Sequence, residues 1–282
     1  MKTMKILTIG LTAMIGLQSA CASLMRSSGA KFNRDAVQAT YFRVWSGFKK
    51  PTMNQATFMD SLPSFMNETV ELYQNKGLSN YIVAIPPQSK PDFIPDEFAL
   101  VAMKDEKSYR DVRATPEGQK YSERHWEVFD NETSKSAPKF YRMSEVQHES
   151  LESGSSYDMV EKSIDWSQGY NLVYVGTRKE GTTKSDYLKK LASHVKLAAK
   201  NLNAVGLQGY IVLANENYEV AYLNWSSKAA HDKAFTEKLG QEVGIDGAEF
   251  MDTLMYLPTE KFEKQTQVNF SKSYSSINED SK

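Results

Sequence analysis

An internal repeat constrains the fold of this chain more than any other feature of the sequence. The segment 44–47 (VWSG) matches 173–176 (VYVG), and the segment 77–83 (GLSNYIV) matches 206–212 (GLQGYIV). Both pairs lie 129 positions apart, from 44 to 173 and from 77 to 206. Two separate matches that share one offset indicate a duplicated unit, which usually corresponds to one supersecondary structure.

The element order is clearest in the second copy. We expect strands over 171–176, 210–214, 218–224 and 250–257, with helices over 183–205 and 228–243. The first helix has apolar residues at helical spacing and ends before Gly206, which suits a left-handed cap. Its counterpart in the first copy contains Pro63, where we expect a kink.

A third match places the remaining strand of the first copy. The segment 98–101 pairs with 218–221 at an offset of 120, so the first copy carries nine extra residues. We assign them to a longer hairpin, 86–96, where the second copy has only the three residues 215–217.

The order strand, helix, strand, strand, helix, strand is that of the ferredoxin-like split βαβ unit. Over 38–258 the chain resembles the two-copy form of the dimeric α+β-barrel superfamily, which includes antibiotic-biosynthesis monooxygenase-like and NIPSNAP-like proteins. The segments 115–121 and 125–130 are similar to the second-helix region of such barrels. The predicted fold class is therefore α+β, with tandem ferredoxin-like (βαββαβ) repeats packed sheet to sheet as a pseudo-symmetric barrel.

The predicted organisation has six parts. They are a signal peptide (1–20), a tether (21–37), the first repeat (38–148), a linker (149–168), the second repeat (169–258) and a disordered polar tail (259–282). The tail has few apolar residues and cannot bury enough surface to fold by itself.

The N-terminus has the order of a secretory signal. Two lysines precede an uncharged apolar run over 6–17, and small residues follow. The run is 12 residues long, whereas a membrane-spanning helix needs about 20. We therefore expect an exported protein.

The only cysteine, Cys21, lies in the cleavage zone. An odd thiol in an oxidising compartment favours modification, so we expect a lipoprotein attached to a membrane surface through Cys21. The residue after the cysteine is Ala22 and not aspartate. By resemblance to Gram-negative lipoproteins, this implies attachment to the outer membrane. Gln18 occupies the position where such signals usually carry leucine, and ordinary cleavage after Ala22, giving a periplasmic or secreted protein, is the alternative.

Composition and missing motifs exclude several functions. The net charge of −1 argues against a nucleic-acid partner, which calls for clustered lysine and arginine. The sequence lacks a Gly-rich phosphate loop, a nucleophile elbow and an H-E-x-x-H motif. No metal site is predicted.

The strand faces supply the candidate ligand pocket. Tyr41, Arg43 and Trp45 share one face of the first strand, and Tyr174 lies at the matching position of the second copy. We expect this set to face the space between the sheets and the aliphatic set to lie under the helices. The buried guanidinium of Arg43 needs either a carboxylate such as Glu219 or an anionic ligand.

The histidines supply the remaining candidates. Tyr121, His125 and Phe129 share one helix face, so His125 is either a core residue or a proton donor and acceptor at the pocket edge. Some two-copy barrels bind haem through a histidine of the second copy, and the resemblance therefore points to His194 or His231 as weak candidates for a haem ligand.

These features predict a binding function at the cell envelope, with a small molecule or an envelope protein as the partner and without a cofactor. We expect the small molecule to be apolar and to bear an acidic group. The alternative, which the resemblance implies, is a cofactor-free or haem-dependent oxidoreductase.

Overall fold

The computed structural model describes residues 36–146 and 149–258, and the predicted signal peptide, Cys21 and the polar tail lie outside them. The first half contains β1 (Tyr41–Gly47), α1 (Gln55–Tyr73), β2 (Leu78–Ala84), β3 (Glu97–Met103), α2 (Glu106–Arg113), α3 (Pro116–Val128) and β4 (Lys135–Ser136). Then come β5 (Phe140–Arg142), a 3₁₀ turn (Met143–Glu145), β6 (Ser156–Asp158), β7 (Tyr170–Arg178), α4 (Lys184–Asn203), β8 (Leu207–Ala214), β9 (Tyr218–Trp225), α5 (Lys228–Thr236), α6 (Lys238–Ala248) and β10 (Met251–Pro258).

Both sheets have the strand order of a ferredoxin-like repeat. The first sheet runs β2-β3-β1-β4, and the second begins β10-β7-β9-β8, which is the same order with β10 in the place of β4. The predicted α+β fold with two repeats is thereby confirmed. The second sheet continues into β6 and β5, so the segment predicted as a linker contains a strand, and β5 precedes the predicted end of the first repeat.

The strand register corrects one sequence alignment. Gly47 pairs with Glu97 in the first repeat, and Gly176 pairs with Glu219 in the second. Since Gly47 and Gly176 are equivalent, Glu97 is equivalent to Glu219, which gives an offset of 122 and not 120. A shift by two residues keeps every side chain on its face, so the apolar pattern could not distinguish the two registers.

The first helix of the second repeat lies where the sequence predicts it, and the second helix differs from its prediction. Gly77 and Gly206 follow the first helix of each repeat with φ of +97° and +115°, a left-handed conformation that glycine adopts without strain. The second helix is divided in each repeat, into α2 and α3 and into α5 and α6, whereas the sequence predicted one helix over 228–243. Helix α1 runs through Pro63. Within the described residues, no helix is both long and apolar enough to cross a membrane.

The space between the sheets is filled by apolar side chains, and the strand faces are the reverse of those expected. Phe42 and Val44 from β1 pack with Val173 and Val175 from β7 in one core cluster, together with Trp166. Tyr41, Arg43 and Trp45 instead pack under α1, α2 and α3. Two facing sheets exclude water, whereas the layer under the helices opens towards solvent, where a guanidinium can find polar partners.

Candidate functional site

A small cavity lies between the first sheet and helices α1, α2 and α3. Its volume is about 40 Å³, which is space for a few water-sized molecules. The polar residues that line it include Arg43, Trp45, Tyr81, Glu97, Tyr121 and His125. Strand β1 supplies the first two, β2 and β3 supply one each, and α3 supplies the last two. The division of the second helix into α2 and α3 lets α3 cover these strands.

Glu97, the first residue of β3, is the acidic group of the cavity. The residue is fully buried, and neither carboxylate oxygen has a hydrogen-bond partner within the described residues. Burial alone raises the pKa of the Glu97 carboxyl to about 8, because the charged form loses its hydration. At pH 7 this carboxyl is therefore mainly protonated, although it ionises within the physiological range.

His125 lies on α3, one turn after Tyr121. Its Nδ1 lies 3.0 Å from the carbonyl oxygen of Tyr121. A carbonyl oxygen only accepts, so Nδ1 carries the hydrogen and Nε2 of the neutral ring is an acceptor. Burial lowers the pKa of His125 to about 4, more than this hydrogen bond raises it, so the ring is neutral at pH 7. The lining of the cavity thus contains a neutral acid, Glu97, and a neutral base, His125.

Arg43 and Trp45 contribute two further donors. Arg43 Nη1 donates to the carbonyl oxygen of Ala137 at 3.2 Å, while Arg43 Nε and Trp45 Nε1 are buried without a partner among the described residues. The guanidinium carbon lies 6.0 Å from the centroid of the Tyr109 ring. The expected ion pair between Arg43 and Glu219 is wrong, because Glu219 lies under the helices of the second repeat.

Tyrosine side chains form the deep wall of the cavity. The hydroxyl of Thr69 donates to the Phe65 carbonyl oxygen at 3.1 Å, and it accepts from the hydroxyl of Tyr121 at 2.5 Å. Burial raises the pKa of Tyr81 and of Tyr121 well above 10, so both phenols stay neutral. This wall carries no charge at pH 7.

The structure brings together three of the five predicted pocket residues. Arg43, Trp45 and His125 line the cavity, Tyr41 lines an adjoining cleft, and Tyr174 lies in the second repeat. Sequence reasoning missed Glu97. The sequence did contain a signal for this residue. An offset of 122 aligns Glu97 with Glu219, and each of them lies at the start of an apolar strand.

The second repeat contains the equivalent carboxyl, but other side chains fill the space that corresponds to the cavity. Glu219 is buried, and desolvation raises the pKa of its carboxyl to about 7 although His194 opposes the shift. Gly247 stands at the position equivalent to His125, and a Cβ there would lie 2.9 Å from His194 Cε1. The imidazole of His194 therefore uses the space that the missing side chain leaves.

The histidines of the second repeat do not fit haem. Both nitrogens of His231 are engaged, Nδ1 with Asp232 at 2.9 Å and Nε2 with the hydroxyl of Tyr256. His194 Nδ1 binds Asp246 at 2.8 Å, and its ring packs against Phe250. The layer between sheet and helices is filled by large buried side chains, among them Tyr187, Tyr210, Trp225 and Phe250. A macrocycle would have to displace these rings.

Comparison with known proteins finds a distant likeness of architecture. No family profile matches the chain, and no curated protein sequence matches it. A candidate monooxygenase from Fusobacterium nucleatum is 12% identical with a TM-score of 0.44, over 79% of this chain and 94% of that one. A dye-decolorizing protein from V. cholerae is 10% identical with a TM-score of 0.37, over 83% and 98%. A haem-binding protein from Thermus thermophilus is 10% identical with a TM-score of 0.31, over 82% and 96%.

Proposed function

We propose that the first repeat carries the site of a cofactor-free oxidoreductase, in which Glu97 exchanges a proton with a small molecule. The observation that carries the proposal is the Glu97 carboxyl, fully buried in a cavity with both oxygens unpartnered among the described residues. Buried polar groups normally have partners, and a strongly perturbed carboxyl in a cavity is typical of functional sites.

The unpartnered groups are complementary to a hydroxyl-bearing molecule. Four unpartnered atoms, both oxygens of Glu97, Nε of Arg43 and Nε1 of Trp45, belong to residues that line the same cavity. The carboxylate form of Glu97 accepts a proton, while the two N–H groups can stabilise an oxyanion. A ligand with an acidic O–H, such as a phenol or an enol, would satisfy both kinds of group.

The chemistry that follows from this arrangement begins with proton transfer. The O–H bond of the substrate breaks, its proton goes to the Glu97 carboxylate, and the electron pair remains on the substrate oxygen. The resulting anion gives one electron to dioxygen, which is the oxidant, so that the substrate becomes a radical and dioxygen becomes superoxide. Since the cavity holds only a few atoms, only the reacting end of a larger substrate would enter it.

We expect Glu97→Gln to lower dioxygen uptake by about 100-fold or more, since general acid–base groups contribute about 10²–10⁴. Uptake is measured with an oxygen electrode, with phenol, hydroquinone and 1-naphthol as probes. The rate of the parent protein should rise with pH and level off above an apparent pKa of about 8, because only ionised Glu97 accepts the proton.

Glu219→Gln is the matched control, because Glu219 occupies the equivalent position in the repeat whose space is filled. It should leave the uptake unchanged. Equal rates for the parent protein and Glu97→Gln would contradict the proposal, as would a Soret band in the purified protein. Binding of the probes without uptake would instead favour a ligand-binding protein.

We also propose that the protein is exported and anchored by lipid at Cys21. The proposal is supported by the N-terminal sequence, in which charged residues are followed by an apolar run and then by small residues. Intact-mass analysis of the protein from membranes should give a chain that begins at Cys21 and carries acyl groups. Cys21→Ser should move the protein out of the membrane fraction. An unmodified chain that begins at Ser23 would show ordinary cleavage.

A further inference from the structure

An open cleft adjoins the cavity, and Arg43 lines both. The cleft has a volume of about 380 Å³, within the range of about 300–1,000 Å³ that is usual for small-molecule sites. Residues from β1, α2, β5 and the 3₁₀ turn surround it. The guanidinium of Arg43 therefore stands between a solvent-facing space and the buried Glu97.

Within the described residues, two arginines that line the cleft, Arg43 and Arg142, have no ion-pair partner. Arg110 Nη2 binds Glu106 at 2.6 Å, so this pair is neutral. Glu145 accepts the backbone N–H of Arg142 at 3.1 Å, and within the described residues no carboxylate forms an ion pair with the Arg142 guanidinium. Within the described residues Arg43 has no carboxylate partner, and its only hydrogen bond is a long one to Ala137. A partly buried, uncompensated guanidinium is costly unless an anion joins it.

Aromatic rings line the same cleft. The Tyr41 ring lies 6.3 Å from that of Phe140, measured between centroids, and 5.6 Å from that of Tyr109. Phe140 also contacts Phe42 at 5.8 Å. These distances are typical of aromatic clusters, and a planar ring that entered the cleft would find such partners.

We propose that this cleft binds an aromatic carboxylate, with its ring against Tyr41 and Phe140 and its carboxylate on Arg43 and Arg142. Arginine suits a carboxylate because its planar fork can donate two parallel hydrogen bonds. The inference rests on the proposed function where it connects the ligand to Glu97. It names the substrate class as a phenol or enol that also bears a carboxylate.

The test compares 4-hydroxybenzoate with 4-hydroxybenzamide, which has the same shape and no charge, by isothermal titration calorimetry at pH 6. We expect the acid to bind about tenfold or more tightly than the amide. Arg43→Met and Arg142→Gln should each weaken the acid by about fivefold or more and leave the amide unchanged. Lys120→Gln, which removes an exposed charge outside the cleft, should change neither.

Equal affinity for the acid and the amide would overturn the inference, as would failure of both to bind. Retention of the acid's affinity in both arginine variants would do the same. Arg142 is exposed, so its replacement tests the site even if Arg43→Met fails to fold. If the proposed oxidation fails while the arginine variants still weaken the acid, the cleft is a binding site without that reaction.

Discussion

At pH 9 the Glu97→Gln variant should be more stable than the parent protein, and most of this advantage should disappear at pH 5. Burial raises the pKa of Glu97 from 4.5 to about 8. A carboxyl whose pKa is raised by folding stabilises the protein fully at pH values below its pKa in the unfolded state. This stabilisation is lost as the pH rises through its pKa in the folded state. Between pH 5 and pH 9 the parent therefore loses about 4 kcal/mol relative to a variant that cannot ionise.

Urea unfolding at pH 5, 7 and 9, followed by tryptophan fluorescence, measures this difference. The opposite dependence of His125, whose pKa is lowered to about 4, is present in both proteins and cancels. Glu219→Gln should show the same sign with a smaller change, about 3 kcal/mol, because its pKa is raised only to about 7. A stability difference that stays constant over the three pH values would mean that Glu97 ionises in the folded protein as it does in water.

The repeat made the fold predictable. Matching residues at a shared offset gave the element order, and the ferredoxin-like strand order of both sheets agrees with it. The sequence also placed Gly206 correctly as a left-handed residue after the end of a helix. These features are local, since they depend on periodicity and on single residues with special backbone requirements.

The faces of the strands were not predictable from the pattern. Both faces of β1 are covered, one by the second sheet and one by helices, so alternation does not separate inside from outside. The aromatic set with Arg43 was therefore assigned to the wrong layer. The grouping of Arg43, Trp45 and His125 survives because strand neighbours and one helix face bring them together in either layer.

The candidate site itself was only partly predictable. Glu97 follows the hairpin of the first repeat, and the alignment at an offset of 120 paired Glu219 with Ala99 and left Glu97 unmatched. The correct register depends on hydrogen bonds between strands, which pair Glu97 with Gly47 and Glu219 with Gly176. The perturbation of Glu97 depends on burial by α1 and α3, which no local pattern encodes.

Trp166→Ala should lower the stability of both repeats together, by about 3–5 kcal/mol. The indole is buried between the two sheets and lies 5.5 Å from the ring of Phe42. Gly209 makes room for it, since a Cβ there would lie 2.5 Å from Trp166 Cζ2. Removing the side chain would leave a cavity that neither sheet can close alone, because each is held in place by its own helices.

The backbone of Trp166 also connects the two repeats, and Trp166→Ala does not remove this connection. Its carbonyl oxygen accepts from Asn80 of the first repeat at 2.7 Å and from Asn171 of the second at 3.0 Å, and alanine keeps both bonds.

Trp166→Phe should recover most of the stability, because it restores apolar area and removes an indole N–H that is buried without a partner among the described residues. Trp126→Ala, at a side chain 38% exposed, should cost less than about 1 kcal/mol. Thermal unfolding followed by circular dichroism compares the three variants. A loss below about 1 kcal/mol in Trp166→Ala would mean that the sheets do not share one core, since a shared core has no other way to fill the space of an indole.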